Sequence, residues 1–209
     1  MATAPAPALS FLALGDSYTI GEGVPEAGRW PVQLAAALRE EGIALADPRI
    51  IATTGWTTDE LASAMDVEEP LGRWDFVSLL IGVNNQYRGR SAGDYRAEFH
   101  ELLRRAIRLA GDRSDRVLVL SIPDWGVTPF VKTTTALPQT IAIELDAYNP
   151  AAQVVCEAHG VTFVDITPVS RERGGEAEML AGDGLHPSAA MYELWTALAL
   201  PAARTLLQH

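Results

Sequence analysis

The chain has a single cysteine, Cys156, among 209 residues, so no intramolecular disulfide can form and no cysteine-based metal site exists. Such usage is compatible with a reducing compartment. Basic residues are scarce: 16 Lys and Arg stand against 27 Asp and Glu, a formal net charge of −11. That balance argues against nucleic acid or an anionic membrane as a partner, and against a polyanionic substrate. No apolar run approaches the ~18 residues of a membrane span, so no membrane insertion is expected. The segment from Met1 to Ser10 lacks a charged n-region and an unbroken apolar h-region. A signal peptide is therefore not expected, and a cytoplasmic location is the default. Also missing is Gly-x-Ser-x-Gly, the strained strand-to-helix elbow on which one large group of α/β enzymes mounts its nucleophile.

What is present is an alternation. Apolar runs of strand length begin at Phe11, Arg49, Phe76, Val117 and Val161, and each ends at or near Gly or Pro: Gly15, Gly55, Gly82, Pro123 and Pro168. Their near-continuous apolar character suits strands covered on both faces, as in a parallel sheet. Between them, segments of helical period run from Pro31 to Glu41, Thr58 to Met65, Ala92 to Ala110 and Pro138 to His159, and Pro187 to Leu207 closes the chain. Pro31, Pro138 and Pro187 stand where a first helical turn tolerates proline. Gly42, Gly111 and Gly160 stand where a helix would stop. Pro150 is expected to kink or split the fourth helix after Tyr148-Asn149. The pattern predicts one domain over 1–209, an α/β three-layer sandwich of about five parallel strands, with residues 1–9 as a disordered tail.

In that topology the chemically suggestive residues fall at strand ends, where open α/β sheets hold their ligands. Ser17 follows the first run directly, and Asp183 and His186 stand three residues apart near the C-terminus. These are the parts of a Ser-His-Asp triad, with serine as nucleophile, histidine as base and the carboxylate as its orienter. Read alone, Asp16-Ser17 is equally a turn after a strand, and Asp183-Gly184 a turn before the last helix. Gly55 and Asn84 come from the loops after the second and third runs, where a backbone N–H and a side-chain amide could serve a developing oxyanion. His100 and His159 read as surface or helix-end residues. No cluster of His, Cys and carboxylates has metal-ligand spacing, so no metal is expected.

Four blocks, Leu14-Gly15-Asp16-Ser17-Tyr18, Thr54-Gly55, Ile81-Gly82-Val83-Asn84-Asn85 and Asp183-Gly184-Leu185-His186-Pro187, occur in an order and spacing that resembles the SGNH (GDSL) hydrolases over nearly the whole chain. The resemblance implies a flavodoxin-like fold, with Ser17, His186 and Asp183 as triad. It also implies an oxyanion hole of the Ser17 N–H, the Gly55 N–H and the Asn84 amide, and hydrolysis of esters without a cofactor. Two positions depart from the family pattern. Tyr18 replaces the Leu of the name motif, and Asn85 stands where Asp is usual, so contacts behind the oxyanion loop are expected to be neutral.

The resemblance points to a small-molecule ester substrate, a short-chain acyl or acetyl ester foremost. Thioesters, lysophospholipids and O-acetylated sugars remain open because the catalytic groups act on the carbonyl alone. Tyr18, Trp56, Val83 and Trp125 are candidates for the acyl pocket, although buried aromatics more often only pack. Arg88 and Arg90 could meet a charged leaving group or simply face solvent. The polar stretch from Ser170 to Gly182 reads as a rim beside the histidine turn. A noncatalytic binding module on the same scaffold is the other class, but the loop after the first strand lacks the Ser/Thr-rich phosphate cradle of a flavin site.

Overall fold

The computed structural model of the chain describes residues 7–208. Five strands, β1 (Phe11–Gly15), β2 (Arg49–Ala52), β3 (Phe76–Leu80), β4 (Val117–Leu120) and β5 (Thr162–Val164), form one parallel sheet in the order β2-β1-β3-β4-β5. Every residue of β1, β3 and β4 is buried, which is why these runs are apolar without alternation. The edge strands β2 and β5 are only partly covered.

Helices α1 (Ser17–Ile20), α2 (Trp30–Glu40), α3 (Thr58–Val67), α4 (Val83–Tyr87), α5 (Ala92–Leu109), α6 (Pro138–His159), α7 (Thr167–Arg173) and α8 (Ala189–Leu207) complete the fold. On one face α2 packs on α8; on the other α5 packs on α6 and α3. This is the three-layer α/β/α sandwich expected from the alternation of patterns. Helix α5 shows the logic locally. Ser91 caps it by accepting from the Asp94 N–H, and Tyr95, Phe99, Leu102, Leu103 and Ala106 recur at helical spacing on the buried side.

Two expectations need amendment. Helix α6 runs unbroken through Pro150, which costs it one internal hydrogen bond. Tertiary anchors on both residues before the proline hold it in line: the Tyr148 hydroxyl donates to the Arg90 carbonyl, and the Asn149 side chain accepts from Ile122 N–H and donates to Ile122 C=O. At the N-terminus, Leu9 lies inside the segment expected to be a tail, yet it forms a parallel bridge with Leu45. Residues 1–6 of that segment lie outside the described residues. The polar stretch after Ser170 is built of the end of α7 and a 3-10 turn at Ala177–Met179, joined by an ion pair from Arg173 to Glu176.

The chain leaves β1, turns outward to β2 and returns to β3 on the other side of β1. The C-terminal ends of β1 and β3 therefore flank the point where the winding direction reverses, and a crevice opens there.

Candidate active site

Ser17 is the first residue of α1, immediately beyond the end of β1. Gly15 makes that placement possible: a Cβ on it would lie 2.4 Å from the Leu80 carbonyl oxygen and 2.2 Å from Thr19 Oγ1. Asp16 caps the short helix through its Oδ1, which accepts from the Tyr18 N–H at 3.0 Å. Its carboxyl is fully buried, and among the described residues no hydrogen-bond partner meets Oδ2. Burial pushes this carboxyl up to about 7, against the opposing pull of the Tyr18 and Gly82 N–H groups.

His186 and Asp183 share a tight turn before α8. Asp183 Oδ1 accepts from the backbone N–H groups of Leu185 and His186 at 2.9 and 3.0 Å, and Oδ2 lies 2.5 Å from His186 Nδ1. Partial burial raises the Asp183 carboxyl, but the imidazole and the two N–H donors outweigh it and hold it below its ordinary value. The turn is clasped from both sides: Ala181 N–H donates to the His186 carbonyl and Phe130 N–H to the Gly184 carbonyl. The ring is buried, steeply inclined to that of Tyr18 at a centroid distance of 6.0 Å. Fixing Nδ1 on a carboxylate in this way orients the opposite nitrogen, Nε2.

Two further segments meet this pair. Gly55 has φ +88°, a conformation that a side chain disfavours, in the loop between β2 and α3. Asn84 is the second residue of α4, just after β3, and its Nδ2 donates to the Trp56 carbonyl at 2.9 Å.

Ser17, Gly55, Asn84 and His186 line one open cavity of about 190 Å³, together with Tyr18, Val83, Tyr87, Trp125, Phe130 and Leu185. Asp183 stands behind His186 rather than in the wall. Among the described residues no hydrogen bond joins the Ser17 hydroxyl to His186, although both face the same space. Three of the four residues proposed for the acyl pocket, Tyr18, Val83 and Trp125, line it. Trp56 does not: its ring packs against the core, and its contribution is the carbonyl that Asn84 holds. Tyr87 and Phe130 share the strand-end position of these candidates and line the cavity with them. Leu185, inside the histidine turn, is the lining residue that the sequence did not suggest. Trp125 is fixed by its indole N–H on Gln86 Oε1 at 2.8 Å and by edge contacts with Tyr87 and Phe130.

Asn85 is fully buried, and its surroundings are not neutral. Its Oδ1 accepts from Thr58 N–H at 3.1 Å, and its Nδ2 donates to Thr58 Oγ1 at 2.6 Å and to a Glu98 carboxylate oxygen at 3.1 Å. The expectation of neutral contacts fails because the partner acid arrives from α5, thirteen residues on. Arg88 and Arg90 face loop and helix rather than the cavity. Arg88 reaches the Gly55 carbonyl and Glu60, and Arg90 pairs with Asp59 and Glu98.

Residues 13–194 match the model of the GDSL-like lipase/acylhydrolase family. The chain belongs to that family. No match to a curated protein was found. Among solved structures, the chain resembles TesA, with a TM-score of 0.72 at 19% identity over 95% of this chain and 99% of that one. It also resembles the psychrotrophic esterase EstA from Pseudoalteromonas sp., solved inhibited by monoethylphosphonate: TM-score 0.72, 14% identity, 96% and 99% coverage. A lipase/acylhydrolase from Enterococcus faecalis gives a TM-score of 0.68 at 23% identity, covering 94% of this chain and 95% of its own. At these identities the likeness is one of fold.

Proposed function

We propose that the chain is a serine esterase that hydrolyses carboxylic esters, short-chain acyl or acetyl esters foremost, through an acyl-enzyme on Ser17. The observation that carries this reading is the cavity at the β1/β3 crevice, where Ser17, His186, Gly55 and Asn84 meet while Asp183 binds His186 Nδ1. Ser17 Oγ attacks the ester carbonyl as His186 Nε2 takes its proton. The carbonyl oxygen becomes an oxyanion, which the N–H groups of Ser17 and Gly55 and the Asn84 amide receive. Collapse expels the alcohol, which takes the proton back from His186. Water then repeats the sequence on the acyl-enzyme, with His186 as base and Ser17 as leaving group. Asp183 stays a carboxylate throughout, taking no proton, and stabilises the imidazolium that forms twice.

Two properties of the cavity support small neutral acyl groups. Among the described residues no Lys, Arg, Asp or Glu lines it, and its volume of about 190 Å³ falls below the roughly 300–1,000 Å³ of pockets that enclose drug-sized ligands.

Treatment with a fluorophosphonate followed by peptide mass spectrometry tests the reading, with p-nitrophenyl acetate turnover measured alongside. The adduct is expected on Ser17, and Ser17→Ala is expected to abolish both labelling and turnover. An adduct on another residue, with Ser17 free, overturns the assignment.

A further inference from the structure

Among the bonds that hold the loop between β2 and α3 are two from a residue outside the four family blocks. Arg88, at the C-terminal end of α4, donates from Nη2 to the Gly55 carbonyl at 2.7 Å and from Nη1 to Glu60 Oε1 at 3.1 Å. Glu60 is the capping-box acid of α3, and its other oxygen accepts from the Thr57 N–H at 2.9 Å. Asn84, one turn before Arg88 on the same short helix, takes the next carbonyl along, that of Trp56. A side chain of α4 and that of its C-cap residue thus grip two successive carbonyls of the loop.

Gly55 is the residue that needs such a grip. Its φ is +88° and a Cβ built on it would meet nothing within 4 Å, so glycine is required there by backbone conformation and not by lack of room, and it brings no side chain of its own to hold the turn. A donor aimed at a transition state must be fixed before the reaction, since reorganisation during it adds to the barrier.

We propose that Arg88 is a positioning residue for ester hydrolysis: by holding the Gly55 carbonyl it fixes the peptide between Gly55 and Trp56, and so limits the rotation about Gly55 that would swing its N–H, on the preceding peptide, away from an oxyanion shared with the Asn84 amide. This inference rests on the esterase reading given above. Arg88 touches neither the cavity nor the reacting atoms, and its side chain is 43% exposed. An ion pair so exposed contributes little to global stability. The guanidinium suits the task because one planar group donates to a carbonyl and a carboxylate at once, which an ammonium on a flexible stem does poorly.

The test compares Arg88→Met, Arg88→Lys and Asn84→Ala with the unsubstituted chain in p-nitrophenyl acetate kinetics, the rate of Ser17 phosphonylation and thermal unfolding. Arg88→Met is expected to lower kcat and the phosphonylation rate about tenfold, with KM and Tm almost unchanged. Arg88→Lys should recover part of the loss. The inference is overturned if Arg88→Met keeps kcat within about twofold of the unsubstituted chain. It is equally overturned if the loss follows a lowered Tm and lysine restores nothing, since Arg88 would then only brace α3. If Asn84→Ala is fully active in an active enzyme, the oxyanion assignment itself fails. If Asn84→Ala is impaired and Arg88→Met is not, only the role of Arg88 fails.

Discussion

The Asn85 amide nitrogen lies 3.1 Å from a carboxylate oxygen of Glu98, in a fully buried position directly behind Asn84. The amide therefore bridges an acid from α5 to the N-terminus of α3, where Thr58 N–H donates to the Asn85 carbonyl oxygen. Restoring the more usual aspartate at this position would keep the acceptor but turn the donor into a second carboxylate oxygen against Glu98.

Asn85→Asp is accordingly expected to be destabilising, by roughly 1–3 kcal/mol at neutral pH. The two acids would share a proton, which raises one folded pKa above its unfolded value. The proton is held in the folded state and lost in the unfolded one between those two values, so the penalty is absent below about pH 4 and grows as pH rises. Thermal unfolding of both proteins from pH 4 to 8 checks this. A constant difference across that range would count against repulsion from Glu98.

Asp183→Asn should lower kcat on the order of 10³–10⁴-fold with little change in KM, because an amide can donate to Nδ1 and favour the wrong tautomer. Stability has its own signature. The folded Asp183 carboxyl titrates below its ordinary value, so its contribution is present above the unfolded pKa and is lost as pH falls through the folded one. The asparagine variant should lack that acid-side slope. Steady-state kinetics with unfolding at pH 2–6 separates the two effects, and near-normal kcat would move the orienting role elsewhere.

Asp16 gives the opposite pH signature. Its folded carboxyl is pushed up to about 7 by burial. From the unfolded value near 4 up to 7 the folded state binds the extra proton, so this group lowers stability as pH rises through that window. Asp16→Asn keeps an acceptor for the Tyr18 N–H and carries no charge. Its Tm relative to the unsubstituted chain should climb between pH 5 and pH 8. A flat or falling difference would mean that Asp16 stays ionised at little cost.

The sheet was legible because strands buried on both faces are written as unbroken apolar runs closed by Gly or Pro. The candidate site was legible because Ser17, Gly55, Asn84 and Asp183-x-x-His186 each occupy a short block at a strand end or a helix entrance. Partners fixed only by packing were not. Glu98 meets Asn85 across two helices, and the Nε2 atoms of His100 and His159 lie 2.8 Å apart although each reads as a surface residue in its own helix. Helices α1 and α4 have four and five residues, too few to display a period. Pro150 was misleading because propensity describes a helix alone, while Tyr148 and Asn149 anchor this one to its neighbours.

The last prediction concerns acyl length. Trp125, Tyr18 and Leu185 line the candidate site and also line a second, smaller void, which has Met179, Met191 and Trp195 on one side and Asp124, Thr128 and Ser170 on another. These three residues are thus the partition between the two spaces. Trp125 is its bulkiest member, held in place by Gln86, Tyr87 and Phe130. Shortening it joins the small void to the pocket, and the methionines beyond can shift to admit a chain because their side chains are flexible. In Trp125→Leu the preferred p-nitrophenyl ester should therefore move from acetate or butyrate toward hexanoate or octanoate. The ratio of kcat/KM for octanoate to that for acetate is expected to rise about tenfold, as one to two buried methylenes would contribute. Loss of the Gln86 hydrogen bond leaves a polar group less well satisfied, so some lowering of Tm should accompany the change. Leu185→Ala thins the same partition without touching Gln86 and should shift the ratio in the same direction. If both variants lose activity evenly across all chain lengths, the partition does not set acyl length and the acyl group lies elsewhere in the cavity.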